Sequence, residues 1–238
     1  MNSVTISTTR KSKHFVLTVA SVLAIVLSAA RSNAQQLQQG ISVQMPPATN
    51  SAPMPEADDQ NAWIVTVTAD GSLYFGIDPV TPESLLDEMK KRPRNRNAKL
   101  YIKADARAPY ASVERALAAA HVDLFEDSVL LTDQSETSAR GTVVSPKGLE
   151  VLLAPPAGSR PIDVQLSNSG EHTLTLTINN RQIPLANLQN MLTQIFQNRP
   201  DKVAMVKADG HLPFADVVHV IDACHSLGAK VVLTSPAV

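Results

Sequence analysis

The chain has 238 residues, of which 44% are hydrophobic, 18% charged and 4% aromatic, with 16 Pro, 9 Gly and one Cys. This length allows one large domain or two of roughly 100–150 residues, and the apolar content excludes a wholly disordered chain. The lone Cys224 excludes a disulfide framework or a Cys-rich zinc module, and a net charge of −1 gives no general attraction to nucleic acid.

The N-terminus has the order of an export signal. Arg10, Lys11 and Lys13 precede an apolar run from Phe15 to Ala30, and Ser32-Asn33-Ala34 sets small residues before a cut between Ala34 and Gln35. As a helix the run would extend about 24 Å, short of the ~20 residues that a hydrocarbon core of ~30 Å requires. Cleavage is therefore the primary expectation, giving a periplasmic or secreted chain. An uncleaved single-pass inner-membrane anchor is the alternative. Cleavage removes Arg10, Lys11, Lys13 and Arg31 and no acid, which leaves 17 basic against 22 acidic residues. In an oxidising compartment Cys224 has no partner, so a buried helical position is expected for it.

Residues 35–61 are rich in Gln and Pro and read as flexible. Within them Ile41, Val43, Met45 and Pro46 carry an apolar alternation suited to docking on a sheet edge. The first unit then follows. Strands Ile64–Thr68 and Leu73–Phe75 flank the turn signal Asp70-Gly71. Helix Pro82–Arg92 has Thr81 as N-cap and Lys90-Lys91-Arg92 at its end, and Pro93 stops it. Strand Leu100–Ala104, helix Ala111–His121 and strand Ser128–Thr132 complete the unit. The second unit reads as strand Leu174–Ile178, a turn at Asn179-Asn180, helix Leu185–Gln197, strand Val203–Lys207, helix Phe214–Leu227 and strand Lys230–Thr234.

The two units are copies. At an offset of 104, KADARAPYASVERALAAAH (103–121) and KADGHLPFADVVHVIDACH (207–225) coincide at eight of nineteen positions. Upstream, Trp63–Thr68 aligns by its alternation with Thr173–Ile178, and Met45-Pro46-Pro47-Ala48 echoes Leu153-Ala154-Pro155-Pro156-Ala157. A period near 100 residues is a domain duplication. The expected fold class is α+β: two tandem ββαβαβ two-layer domains, each with two helices on one face of a mixed sheet. The expected boundaries are 1–34 for the signal or anchor, 35–61 for the flexible segment, 62–133 for the first domain, 134–172 for a linker and 173–238 for the second domain.

Few residues suggest chemistry. No HExxH, GxSxG, P-loop or GxGxxG motif occurs and no acid pair recurs in both units, so the chain does not read as an enzyme. His219, Asp222, Cys224 and His225 lie close in sequence. The two histidines, however, stand six residues apart, about 240° around a helix, and do not share an ion. No metal or cofactor is expected. Asp105 and Asp209 follow matched strands and suit either a partner surface or acceptance of backbone N–H groups at the turn. Tyr110 and Phe214 open matched helices as core or contact residues. Lys90, Lys91, Arg92, Arg94, Arg96 and Lys99 read as a solvated helix end, with contact to an anionic polymer or lipid headgroups as the alternative. The second unit has only Arg199 and Lys202 there.

The order Leu100-Tyr101-Ile102-Lys103-Ala104-Asp105, Pro109-Tyr110, helix, repeated as Val203–Asp209 with Pro213-Phe214, resembles the periplasmic domains of the ExbD/TolR family. Asp70-Gly71-Ser72-Leu73-Tyr74-Phe75 is similar to the family's strand hairpin, and Ile41–Pro46 to its segment between anchor and domain. The resemblance spans both units and stops short of the N-terminus. It implies a non-catalytic envelope protein of biopolymer transport that pairs like domains and engages a protein partner by strand addition. The implied partners are TonB-like proteins, an ExbB/TolQ-type complex or peptidoglycan. The implied partner-binding residues are Ile41, Val43, Met45, Pro46, Asp105, Tyr110, Asp209 and Phe214. The family's membrane helix also carries an aspartate, whereas Phe15–Ala30 contains no acid.

Overall fold

The computed structural model describes residues 39–93, 98–122, 125, 127–133, 145–168 and 174–233, all within one unit of the chain. The expected signal segment, with Ala34 and Gln35, lies outside the described residues. In chain order the strands are β1 (Ala52–Pro53), β2 (Trp63–Val67), β3 (Leu73–Phe75), β4 (Asp78–Val80), β5 (Leu100–Ala104), β6 (Asp127–Thr132) and β7 (Lys147–Leu152). They continue with β8 (Ile162–Asn168), β9 (Leu174–Ile178), β10 (Arg181–Ile183), β11 (Val203–Ala208) and β12 (Lys230–Leu233). The helices are α1 (Pro82–Lys91), α2 (Tyr110–Val122), α3 (Leu188–Phe196) and α4 (Phe214–His225).

Local signals explain most boundaries. Thr81 and Ser84 exchange side-chain and backbone hydrogen bonds in a capping box, Pro82 fills the first helical position, and Lys90 and Lys91 face the carbonyl end of the dipole. Asn179 and Asn180 both take positive φ (48° and 65°), as a two-residue hairpin turn requires. α3 begins later than the sequence pattern suggests, because Leu185–Asn187 is wound as a 3-10 turn after Pro184.

One mixed sheet holds all twelve strands, in the order β10-β9-β8-β11-β12-β7-β6-β5-β2-β3-β4, with β1 attached to β7. Each half repeats the other strand for strand. Trp63 pairs with Leu100 beside β5, and Ile162 pairs with Ala204 beside β11. Phe75 faces Val65 and Asp78, just as Ile178 faces Val164 and Arg181. The counterpart of β2 is therefore β8, not residues 173–178, which form the counterpart of β3. The turn at Asn179-Asn180 matches Gly76-Ile77 and not Asp70-Gly71. The expected linker 134–172 contains β7 and β8, and each repeat gains a short third strand, β4 or β10.

β7 joins the halves. It runs antiparallel to β6 over six residue pairs and parallel to β12 at Leu152–Val232. Gly148 is placed there by close approach: a Cβ would strike Val129 and lie 2.9 Å from the Leu130 carbonyl oxygen. All four helices pack on one face over a single continuous core that includes Val65, Ile102, Tyr110, Leu130, Val164, Val206, Phe214 and Val231. A lone domain of roughly 60–90 residues buries only ~60% of its unfolded surface. Merging two cores relieves that deficit.

The helix starts provide the second junction. The first N–H groups of any α-helix lack intrahelical acceptors. Here Tyr110 and Ala111 donate to the carbonyls of Leu212 and Gly210, while Phe214 and Ala215 donate to those of Ala108 and Ala106, all at 2.9 Å. Each repeat thus caps the other's second helix, and Pro109 bridges Pro213 between the two pairs of bonds. Tyr110 and Phe214 are both fully buried beside this junction, and the Tyr110 hydroxyl has no hydrogen-bond partner among the described residues. Tyr110→Phe should therefore be neutral or stabilise by up to about 1 kcal/mol, whereas Phe214→Tyr should cost about 1–3 kcal/mol by burying a hydroxyl without a partner. Denaturant midpoints of the two variants check this, and a clear loss in Tyr110→Phe would contradict the packing.

Candidate partner-binding surfaces

The residues expected to meet a partner are occupied within the chain to different degrees. Asp105 is 4% exposed. Its Oδ1 accepts from the Arg107 N–H (3.1 Å) and Nε (2.9 Å), and its Oδ2 accepts from Arg107 Nη2 (3.2 Å) and the Gln44 N–H (3.2 Å). The Arg107 side chain above all holds its carboxyl below the usual range. Asp209 occupies the matched position but is half-buried, accepting from the backbone and ring of His211 at 2.9 and 3.0 Å. Its carboxyl is also lowered, chiefly by the His211 N–H. Tyr110 and Phe214 belong to the core.

The Ile41–Pro46 segment lies against the sheet face opposite the helices. Met45 and Pro46 are buried, Val43 is half-buried and Ile41 partly exposed. Met45, Met54 and Ala57 pack on Ile64, Tyr101, Val129 and Leu131. The segment is held by Ala106 N–H to the Gln44 carbonyl (2.8 Å) and Asp133 N–H to the Pro46 carbonyl (2.9 Å). Further along, Thr49 and Asn50 bind the carboxylate of Asp222 on α4, at 2.8 Å for each of their closest bonds. Burial would raise the Asp222 carboxyl, but the N–H groups of Asn50 and Thr49 outweigh it, and the net direction is down. Residues 41–50 therefore strap the first repeat to the second.

Covering changes the electrostatics beneath. Lys103 is 2% exposed, with Nζ 3.2 Å from the Gln39 carbonyl, and burial lowers its pKa although Asp58 opposes this. Its repeat counterpart Lys207 stays in solvent, paired with Asp163 at 3.1 Å. Accordingly β2 and β5 are buried on both faces, while β8 alternates.

Two sheet edges remain. β4 and β10 end the sheet on opposite sides. In a two-residue hairpin the residues flanking the turn exchange both backbone bonds, so the next residue turns its backbone outward. On β4 that residue is Pro79, which has no N–H to offer. On β10 it is Gln182, which has both donor and acceptor. Sequence reasoning missed this difference because neither short strand was foreseen.

Among the described residues, no three His, Cys, Asp or Glu are grouped to hold a metal ion. Cys224 is buried and its thiol pushed up to about 12 by burial, so it is not a reactive thiolate. His225 binds the Glu150 carbonyl at 2.9 Å, and burial lowers its pKa. No helix among the described residues is long and apolar enough to cross a membrane.

The model of the biopolymer transport protein family ExbD/TolR matches residues 17–135 and again residues 128–237. The chain belongs to the ExbD/TolR family. Its two matches follow the two repeats of the sheet. The first also begins inside the Phe15–Ala30 run, so family similarity reaches further toward the N-terminus than the motifs alone indicate. No curated protein and no solved structure matches the chain. ExbD/TolR proteins are envelope-associated, non-catalytic accessory proteins of biopolymer transport that act in complexes with ExbB/TolQ- and TonB/TolA-type partners.

Because Asp105 is buried and anchors the strap, whereas Asp209 is half-buried and accepts only from within its own repeat, from His211 and the Asn168 backbone, Asp105→Asn should cost about 1.5–3 kcal/mol and Asp209→Asn less than about 1 kcal/mol. The Asp105 contribution is complete above the ordinary carboxylate value of about 4 and is lost as pH falls through its lower folded value. Urea unfolding between neutral and acid pH, with proteolysis of residues 39–50 as the local readout, checks both. Equal losses in the two variants would contradict the anchor.

Proposed function

We propose that this chain is a non-catalytic envelope protein in which two ExbD/TolR domains form, within one polypeptide, the pair that family members assemble from two subunits, and that it captures an extended segment of a TonB-like partner on β10. The reciprocal capping of α2 and α4 carries the first half of this reading, since a self-complementary contact between equivalent surfaces is the mark of an isologous interface. Tethering substitutes an effective concentration of order mM for a bimolecular encounter. The open Gln182 edge supports the second half: main-chain bonds supply affinity there, while Pro79 blunts the other edge. Ile41–Pro46 is not free for the same role while it lies on the first repeat. Gln182→Pro should leave the unfolding midpoint nearly unchanged and abolish capture of a TonB-like protein from the same genome. Undiminished capture would assign the partner elsewhere.

A second reading is a membrane-anchored accessory subunit of a proton-motive-force-driven TonB/Tol-type complex. The family match from residue 17 favours it, because that match takes in most of the apolar run. Mass spectrometry of the mature protein separates the two: a chain starting at Gln35 retains no anchor, and one retaining Phe15–Ala30 does.

A further inference from the structure

At the N-terminal ends of the parallel strands, on the side away from the paired helix starts, each repeat opens a cleft. In both, the walls are the approach to the first strand and the loop from the first helix to the central strand. The first-repeat cleft, about 700 Å³, includes Glu56, Asp59, Trp63, Arg92, Lys99 and Tyr101 among its described lining. Its described cations have partners inside the chain. Arg92 lies 5.1 Å from the Trp63 ring centre and donates to the Ala62 carbonyl, and Lys99 pairs with Glu150.

The second-repeat cleft is larger, about 1000 Å³, and differently charged. Arg160, Arg199, Lys202 and Lys230 line it against the single carboxylate of Asp201. That carboxylate is already engaged: it accepts the Arg160 N–H at 2.8 Å, which is the main cause of its lowered pKa. Arg199 and Lys202 donate to the carbonyls of Arg160 and Leu227, at 2.6 and 3.0 Å. Among the described residues, none of the four cations is in contact with a carboxylate side chain. Gly158 turns the rim with φ +76° and open space where a Cβ would sit.

Among the described residues, the same place in the fold carries two acids and two cations in one repeat and one acid and four cations in the other. Asp201 offsets part of this charge, since Arg199 and Arg160 both act on its carboxylate, but four cations around one carboxylate leave an excess that favours an anion. Two guanidinium forks and two ammonium groups suit oxygens carrying more than one charge, and a phosphate monoester bears about −1.5 to −2 near neutral pH. Among the described residues the lining holds no aromatic side chain to stack a base, so a nucleotide is not the favoured form. We propose that the cleft between Arg160, Arg199, Lys202 and Lys230 binds a phosphate-bearing ligand, from a soluble phosphate or a lipid headgroup. This stands independently of the β10 reading.

The test titrates the intact chain with inorganic pyrophosphate and with phosphatidylcholine vesicles with or without phosphatidic acid, using Arg160→Ala/Lys230→Ala as the variant. Among the described residues neither of those side chains makes a hydrogen bond or ion pair, and the exposed Arg115→Ala/Arg181→Ala serves as a charge-matched control. Saturable binding of pyrophosphate, weakened at least about tenfold in the variant and unchanged in the control, is expected. The same loss of vesicle binding would identify a headgroup as the source, and binding of pyrophosphate alone a soluble phosphate. No saturable binding of either probe, equal binding by the variant, or tighter binding of citrate than of pyrophosphate would overturn the proposal.

Discussion

Four backbone hydrogen bonds between residues 106–111 and 210–215 set the relation of the two repeats, and most of the molecule's features follow from them. A helix beginning immediately after a proline, with no side-chain cap, leaves its first N–H groups exposed to whatever lies beyond. In α4 Pro213 precedes the helix and no side chain caps it. The matching loop of the other repeat supplies the missing carbonyls, and the relation is returned at α2. Each bond is worth about 1 kcal/mol net, but leaving the same buried groups unmade costs more. The junction therefore works as much by exclusion of alternatives as by attraction. With the helix starts locked, Tyr110 and Phe214 fall into one core and two marginal domains become a single hydrophobic layer.

The duplication is symmetric in its strands and helices and asymmetric in what precedes them. The similar segments around residues 41–48 and 149–157 have different fates. The second forms β7 and enters the sheet between β6 and β12, while the first crosses the back of its own repeat and reaches Asp222 of the other. One consequence is a covered face with a buried Lys103 and an open face with a solvated Lys207. The repeats differ separately in an edge strand carrying Pro79 against one carrying Gln182 and, among the described residues, in a cleft of two acids and two cations against one of one acid and four cations. A pair built from two identical subunits could not divide its surfaces this way. Joining the copies in one chain lets the two repeats carry different surfaces.

The fold class was legible because it rests on local periods. The KAD-Pro-aromatic unit occurs twice at a fixed offset, and Thr81 with Pro82 marks a helix start without tertiary information. The register of the second repeat was not legible. β2 is buried on both faces and carries Ile64 and Thr66 where β8, open on one face, carries Asp163 and Gln165; only Val65 and Val164 agree. The Thr-Leu alternation of 173–178 resembles β2 more closely than its true counterpart does. The strap was hidden for a related reason, since its anchors Asp105 and Asp222 lie 61 and about 172 residues away. Alternating apolar residues announce a strand or a strap equally well, and only distant carboxylates decide which. The second-repeat cleft was half visible in Arg199 and Lys202, with Arg160 and Lys230 brought in by the turns before β8 and β12.

Native-state hydrogen exchange at the amides of Tyr110, Ala111, Phe214 and Ala215 tests the central claim most directly. Reciprocal capping requires all four to exchange only with global unfolding, with equal protection free energies that fall together when either repeat is destabilised. Exchange of one pair at the rate of a fraying helix end, or protection of one pair that survives unfolding of the other repeat, would show that the two domains stand independently.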